Sequence, residues 1–159
     1  MKLKIAILFV ACFTFNQLKA QQPTFLPQFK FYSLDGKVFS NNNLSQTKPN
    51  LLMLFDCTCE HCQHEAMLMT ANFKKLSNVN IVMVTLDDQA AIKQFFTRYA
   101  PGLNVKKNVT VVQDKNQIFI PTFLPSIYPA FYLYTPKGKL ISYEKGDGAM
   151  KRILTKVAK

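Results

Sequence analysis

The spacing of hydrophobic residues changes along the chain, and these changes predict where strands and helices lie. Two short apolar segments, containing Phe29 and Phe31 and then Val38 and Phe39, flank an Asp-Gly turn sequence at residues 34–37 and predict a β-hairpin. A polar connector follows. The next segment, 51–55, is a continuous apolar run, which is typical of a strand buried on both faces of a sheet.

The rest of the chain alternates helical and strand patterns. A segment without Gly or Pro predicts a helix from about Cys59 to Leu76. Asp87-Asp88 is suited to cap a second helix, which Pro101-Gly102 ends. The other expected elements are strands at 79–86, 109–112, 130–134 and 140–143, a proline-rich loop at 120–129 and a last amphipathic helix at 148–158.

The order of these elements is a hairpin, then β-α-β-α-β, then β-β-α. Strands that alternate with helices predict an α/β fold with parallel strands, to which the closing hairpin adds antiparallel ones. The chain has 159 residues, of which 48% are hydrophobic and 18% are charged. This is the size and composition of one globular domain and excludes an intrinsically disordered protein.

The first twenty residues differ from the rest and predict export. A short basic start is followed by an apolar run from Ile5 to Phe15, and Ala20 provides a small residue before a cleavage point. We therefore expect a signal peptide at 1–20 and a periplasmic location in a bacterium. The alternatives are a buried N-terminal helix, and a lipid anchor at Cys12, whose preceding residues loosely resemble a lipobox.

The chain is basic, with a formal net charge of +11 at pH 7. Its basic residues are scattered in pairs such as Lys74-Lys75 and Lys106-Lys107, which is typical of solvated surfaces. Contact with an anionic membrane surface or an acidic partner is the alternative. Nucleic acid is not expected as a partner, because an exported protein rarely meets it.

Three of the four cysteines, Cys57, Cys59 and Cys62, lie within six residues of one another. Exported proteins usually use cysteines that are far apart in sequence to link distant parts of the fold. Clustered thiols do not serve that purpose, so their spacing indicates chemistry or metal binding.

Cys59-Glu60-His61-Cys62 follows the predicted buried strand and begins the predicted helix. Backbone N–H groups at a helix N-terminus favour a thiolate and bring the pKa of a cysteine there from about 8.5 into a range of roughly 3.5–7.5. The two-residue gap places the second sulfur one helical turn further on, where it can attack a mixed disulfide formed at the first. Cys59 is therefore predicted to attack and Cys62 to resolve.

The segment Leu51 to Cys62, LLMLFDCTCEHC, resembles the active-site strand and helix start of the thioredoxin superfamily. Residues 63–65 and the segment Tyr128 to Ile141 resemble its exported TlpA/ResA-like thiol–disulfide oxidoreductases. The resemblance implies a thioredoxin fold, with a central mixed sheet flanked by helices and an N-terminal β-hairpin extension. It divides the chain into the signal peptide, an extension at 21–48 and a thioredoxin-like domain at 49–159.

The same resemblance implies roles for residues outside the cysteine pair. Pro129 is expected to be a cis proline beside the sulfurs, where it presents the backbone of Tyr128 to a substrate chain. The alternative is an ordinary trans loop proline. Glu65 is expected to pass protons to and from the resolving thiol, with a solvent-facing helix residue as the alternative.

Residues inside and around the motif are expected to modulate its chemistry. His61 favours the Cys59 thiolate and Glu60 opposes it, so the sequence leaves the direction of electron flow open. The chain has no Trp, and Thr58 stands where an aromatic residue usually precedes the first cysteine. Cys57 is an additional thiol, which is interpreted as a passive buried cysteine, a third redox partner or a ligand.

The redox interpretation requires no cofactor or metal. Its expected partners are protein thiols and disulfides, such as apocytochrome c or envelope proteins, and a membrane thiol reductant. The alternative function is Zn or Cu binding or delivery through the three clustered thiols with His61 and His64. A thiol peroxidase is disfavoured because the Pro-x-x-x-Thr-x-x-Cys pattern is missing, and a non-catalytic binding module remains the fallback.

Overall fold

The computed structural model describes residues 21–157. The described strands are β1 (Lys30–Ser33), β2 (Val38–Ser40), β3 (Asn50–Leu54), β4 (Asn80–Thr85), β5 (Val109–Gln113), β6 (Ala130–Tyr134) and β7 (Leu140–Lys145). The described helices are α1 (Glu60–Ala71), α2 (Gln89–Tyr99), α3 (Phe119–Phe123) and α4 (Ala149–Val157), with single 3-10 turns at Asn41–Asn43 and Phe73–Leu76. The predicted signal peptide and Cys12 lie outside the described residues.

All seven strands belong to one mixed sheet in the order β2-β1-β5-β4-β3-β6-β7. The central strands β3, β4 and β5 are parallel, and the remaining pairs are antiparallel. The N-terminal hairpin is part of this sheet because β1 pairs with β5, with Tyr32 opposite Gln113. The predicted α/β thioredoxin fold with an N-terminal hairpin is confirmed.

The sheet buries a hydrophobic cluster on each face. Alternate residues of β3, such as Leu51 and Met53, point to the cluster that packs against α1, α2 and α4. The intervening residues Leu52 and Leu54 point to the other cluster, which includes α3 and the phenylalanines of the hairpin. A strand whose neighbours lie on both faces needs apolar residues throughout, which explains the continuous apolar run at this position.

The segment predicted as a proline-rich loop contains a short helix, α3, which the sequence analysis missed. The carboxylate of Asp114 accepts hydrogen bonds from the backbone N–H groups of Ile118 (3.1 Å) and Phe119 (2.7 Å). It therefore satisfies donors at the start of α3. Phe119 and Phe123, one turn apart, are fully buried and stack against each other.

The first long helix ends earlier than predicted. α1 stops at Ala71, and the chain continues as a 3-10 turn through Leu76. Asn72 lies at the break, and its side-chain Nδ2 donates to the carbonyl of Leu68 at 3.0 Å. The same carbonyl also accepts from the backbone N–H of Asn72 at 3.1 Å, so both the backbone and the side chain of Asn72 bond back to the helix at the point where it ends.

The direction of the parallel strands defines two edges of the sheet. The carboxyl edge is formed by the ends of β3, β4 and β5, where α1 and α2 begin. The amino edge is formed by the starts of the same strands, at Asn50, Asn80 and Val109. No helix within residues 21–157 is long and apolar enough to cross a membrane.

Candidate active site

Cys59 lies at the carboxyl edge, five residues after the end of β3. It is the N-cap residue of α1, with an extended backbone, and its Sγ accepts a hydrogen bond from the backbone N–H of Cys62 at 3.4 Å. Its side chain is partly exposed, whereas Cys62 is fully buried in the first turn of the helix. The structure thus brings the predicted pair together with one sulfur accessible and the other covered.

Burial of Cys62 affects its ionisation. Desolvation raises the pKa of the Cys62 thiol well above its ordinary value, and a backbone hydrogen bond from Asp56 offsets part of this rise. The buried Cys62 thiol therefore keeps its proton while its surroundings stay desolvated. An exposed first sulfur and a protonated second sulfur are the starting state for attack followed by resolution.

Asp56 shapes the loop that delivers Cys59, and the sequence analysis did not identify it. Its Oδ1 accepts hydrogen bonds from both the backbone N–H and the side-chain hydroxyl of Thr58, at 2.7 and 2.6 Å. Its carbonyl accepts from the N–H of Cys59 at 3.3 Å. An aspartate at the end of a strand, two residues before a threonine, is a turn-forming pattern that the sequence contains.

The backbone of Cys57 is held between the segment that follows β4 and helix α1, where Gln63 Nε2 donates to its carbonyl at 3.0 Å. Its backbone N–H donates to Asp87 Oδ2 at 2.8 Å, which also accepts from the hydroxyl of Thr85 at 2.7 Å. Burial raises the pKa of the Cys57 thiol, and hydrogen bonding to Asp87 raises it further. A buried thiol that keeps its proton is a poor nucleophile. These observations support the passive interpretation of Cys57.

The Tyr128–Pro129 peptide bond is cis and lies beside the cysteine segment. Ala130, the next residue, pairs with Leu54 at the end of β3, so Pro129 lies next to the start of the Cys57–Cys59 loop. The carbonyl of Pro129 accepts from the N–H of Gly146 at 2.8 Å. Among the hydrogen bonds within residues 21–157, none uses the backbone N–H or carbonyl of Tyr128.

Glu60 and His61 occupy the first turn of α1, and both are exposed. Neither side chain forms a hydrogen bond or an ion pair within the described part of the chain. They lie next to Cys59 in sequence, but no contact in the structure tests their effect on its ionisation. Their modulating roles therefore remain predictions.

Glu65 is fully buried, which excludes the solvent-facing alternative. Its Oε1 accepts from the backbone N–H of Gly148 at 2.7 Å, and its Oε2 accepts from that of Met150. These donors lie at the start of α4, where backbone N–H groups have no helical partner. Glu65 therefore links the cysteine-bearing helix to the last helix. No hydrogen bond joins it to Cys62 among the described residues, and its proton-relay role stays a prediction.

The structure does not favour the alternative metal site. Among residues 21–157, the thiols of Cys57, Cys59 and Cys62 do not combine with His61 or His64 into a group that could hold a metal. The ligand atoms that do converge, within 4.8 Å, belong to His64, Glu65 and Asp147. Both Glu65 oxygens in that group already accept backbone N–H groups, so this cluster is explained by hydrogen bonding within the fold.

Comparison with known proteins identifies the family. Residues 24–142 match the AhpC/TSA family. No relative was found among curated protein sequences. Among solved structures, the chain is similar to MTB dsbF, solved in mixed oxidized and reduced forms, with 25% identity and a TM-score of 0.68 over 83% of this chain and 96% of that one.

Two further neighbours have similar folds. A secreted Mycobacterium tuberculosis disulfide oxidoreductase, described as homologous to E. coli DsbE, shares 24% identity with a TM-score of 0.65, over 82% of this chain and 95% of that one. The thioredoxin domain of a Bacteroides vulgatus thiol–disulfide oxidoreductase shares 19% identity with a TM-score of 0.66, over 89% and 100%. The predicted oxidoreductase class is confirmed. The chain belongs to the AhpC/TSA family of the thioredoxin superfamily.

Proposed function

We propose that this protein is an exported enzyme that exchanges disulfides with protein substrates through Cys59 and Cys62. The observation that carries the proposal is the arrangement of the two sulfurs at one helix N-terminus. The Cys59 sulfur is partly exposed and 3.4 Å from the backbone N–H of Cys62, whose own sulfur is buried one turn further on.

In the reducing direction, the Cys59 thiolate attacks one sulfur of a substrate disulfide. An S–S bond forms between enzyme and substrate, and the other substrate sulfur leaves as a thiolate and takes up a proton. Cys62 then loses its proton and attacks the Cys59 sulfur, which forms the Cys59–Cys62 disulfide and releases the second substrate thiol. Two electrons pass to the substrate, and a dithiol reductant returns the enzyme to its starting state. The oxidising direction is the reverse sequence.

The backbone of Tyr128 is the proposed contact for the substrate chain. Its N–H and carbonyl have no partner within the described residues, and the cis bond to Pro129 places them beside the cysteine loop. An extended substrate segment that pairs with these two groups gains hydrogen bonds that do not depend on its side chains. Such pairing suits an enzyme that acts on different proteins.

The direction of exchange depends on how well the site stabilises the Cys59 thiolate. His61 favours the thiolate when protonated, and Glu60 disfavours it by charge repulsion. Both are exposed at the start of α1, so their opposing effects are screened by solvent and salt. We propose that Cys57 takes no part in the exchange.

The proposed export is supported by the start of the chain and by one structural neighbour. A secreted protein occurs among the structural neighbours, and the basic and apolar start of this chain has the pattern of a signal peptide. We propose envelope proteins, including apocytochrome c, as substrates and a membrane thiol reductant as the electron donor.

Insulin reduction by dithiothreitol tests the exchange activity. The wild-type protein is expected to accelerate it, and Cys59→Ser is expected to abolish the acceleration. Thr58→Ser, which keeps the hydroxyl that bonds Asp56, is the matched control and should retain activity. Equilibration in glutathione buffers, followed by mass spectrometry, should locate the disulfide between Cys59 and Cys62. A bridge that includes Cys57 would contradict the proposed pairing.

A further inference from the structure

The acidic residues of this protein are concentrated at one edge of its sheet. Most of the nine acidic residues lie at the carboxyl edge, in the loops that follow strands or begin helices: Asp56, Glu60, Asp87, Asp88, Asp114 and Asp147. No acidic residue occurs between Glu65 and Asp87, or between Asp88 and Asp114. These two acid-free segments contain the loops that lead into β4 and β5 at the amino edge.

Four exposed lysines lie in those loops, and we call them the lysine edge: Lys74, Lys75, Lys106 and Lys107. The loops are neighbours because β4 and β5 are adjacent and parallel, with Ile81 opposite Val109. Lys74, Lys75 and Lys106 line one open groove together with Phe73. The ammonium group of Lys106 lies 5.5 Å from the centre of the Phe73 ring. These three charges therefore share one surface, and Lys107 follows Lys106 in the same loop.

Helix dipoles account for only part of this surface. Cations near the C-terminus of a helix are stabilised, but the effect is limited to the last turn. Lys74 and Lys75 closely follow the end of α1 at Ala71. Lys106 and Lys107 lie seven and eight residues beyond Tyr99, where α2 ends. Their position needs another explanation.

An apolar side chain lies among these charges. Val105 is 76% exposed, the highest value among the large hydrophobic side chains of the described residues, and it directly precedes Lys106 and Lys107. An exposed apolar group next to ammonium groups fits a lipid interface, where the apolar group enters the acyl boundary and the lysines meet headgroups. Lysine also suits diffuse attraction to a charged surface, whereas bidentate recognition of a single phosphate favours arginine.

We propose that the lysine edge docks the protein on an anionic phospholipid surface. Because the cysteine pair lies at the opposite edge of the sheet, docking through the lysine edge turns the redox site away from the membrane and toward other proteins. The attraction should increase with the number of lysines and decrease with salt. This proposal depends on the charge distribution and stands whether or not the site is redox-active.

Vesicle co-sedimentation of the full chain tests the proposal. Vesicles of phosphatidylglycerol and phosphatidylcholine are compared with pure phosphatidylcholine, which gives the charge-dependent part of the binding. The basic, apolar N-terminus is the same in the wild type and in both variants, so it cancels in their comparison. The test variant replaces Lys74, Lys75, Lys106 and Lys107 by Gln. The control variant makes the same change in net charge at other exposed positions, by replacing Lys30, Lys37, Lys93 and Lys115 by Gln.

We expect the test variant to bind anionic vesicles at least tenfold more weakly than the wild type and the control variant less than threefold more weakly. Val105→Ser should weaken binding further, and 0.5 M salt should remove the preference for anionic vesicles. Insulin reduction by the test variant should equal that of the wild type. Equal losses in the two variants would overturn the proposal. So would absence of a preference for anionic vesicles in the wild type, and retention on polyglutamate would then indicate an acidic protein as the partner.

Discussion

The charged residues at the two edges of the sheet differ in what they contact. At the carboxyl edge, carboxylates bond backbone N–H groups: Asp88 accepts from Ala91 at 2.8 Å, and Asp114 accepts from two residues at the start of α3. At the amino edge, the lysines point to solvent. Helix direction explains the carboxylates, because α1, α2 and α3 all begin at the carboxyl edge, where unpaired N–H groups attract negative charge.

This comparison gives a physical reason for the position of the proposed redox pair. A helix N-terminus provides N–H groups that favour an anion, and in this fold one of those N–H groups meets the sulfur of Cys59. The same edge that needs carboxylates as caps can therefore support a thiolate. The amino edge, toward which α1 and α2 run, carries the exposed lysines instead.

Among the variants, Cys59→Ser is expected to have the largest effect on activity at the carboxyl edge. It should lower the rate of insulin reduction by roughly a thousandfold or more, because the covalent route is lost. The free energy of unfolding should change little, since Cys59 is partly exposed. Steady-state turnover and urea unfolding measure the two effects. A residual rate within tenfold of the wild type would place the nucleophile elsewhere.

Glu65→Gln tests whether the carboxyl edge depends on the link between α1 and α4. One of the two backbone N–H groups at Gly148 and Met150 would then face an amide group that donates instead of accepting. We expect a loss of about 2 kcal/mol in the free energy of unfolding, the cost of one unsatisfied buried donor. Glu60→Gln, an exposed neighbour on the same helix, is the control and should change stability by less than about 0.5 kcal/mol.

The same variant separates the two roles of Glu65. If Glu65 acts only as a cap, the pH dependence of insulin reduction by Glu65→Gln should match that of the wild type. If Glu65 also relays protons to Cys62, as the family resemblance implies, the variant should show a changed pH profile in addition to its lower stability. An unchanged unfolding free energy would contradict the capping role.

Alkaline pH should weaken the folded protein through the thiols at the carboxyl edge. Burial raises the pKa of Cys57 and of Cys62, so the folded state holds these protons after the unfolded state has released them. Their contribution is fully present below the unfolded value of about 8.5 and is lost as pH rises above it. We expect a loss of about 1.4 kcal/mol per pH unit for each thiol in that range. Urea unfolding under reducing conditions between pH 7.5 and 10.5 measures this slope, and Cys57→Ala should reduce it.

Cys57→Ser is expected to have the smallest effect on activity. Serine keeps a donor beside Asp87, and the backbone bond from residue 57 to that carboxylate is unchanged. Insulin reduction should stay within about twofold of the wild type, as for a residue outside the reacting groups. A tenfold loss, or a shift of the reduction potential, would identify Cys57 as a third redox partner instead.

The fold could be predicted from the sequence where hydrophobic period and turn residues agree. Leu51 to Phe55 predicted a buried strand, and the Asp-Gly turn predicted the hairpin. The short helix α3 could not be predicted in this way, because it depends on Asp114, a residue on the preceding strand end that caps it. The break at Asn72 was missed because the segment contains no Gly or Pro, and Asn72 bonds the carbonyl of Leu68 through both its backbone N–H and its side chain.

The site was predictable only as far as local sequence determines it. Cys59 and Cys62 share one turn of a helix, so their spacing alone brings them together. The bonds of Glu65 to Gly148 and Met150, and of Asp87 to Cys57, join residues that are 83, 85 and 30 positions apart. Such contacts depend on how the elements pack, and a single sequence contains no pattern that specifies them.

The outer strands of the sheet have a consequence for how another polypeptide can approach. β2 has only three residues, and the start of β7 is occupied by the N-terminal segment, where Phe25 bridges Lys139 and Thr24 accepts from Leu140. Short or covered borders of this kind discourage chains from adding on as extra strands. An extended substrate chain would then pair with the unpaired backbone of Tyr128, the contact proposed above, rather than with an outer strand.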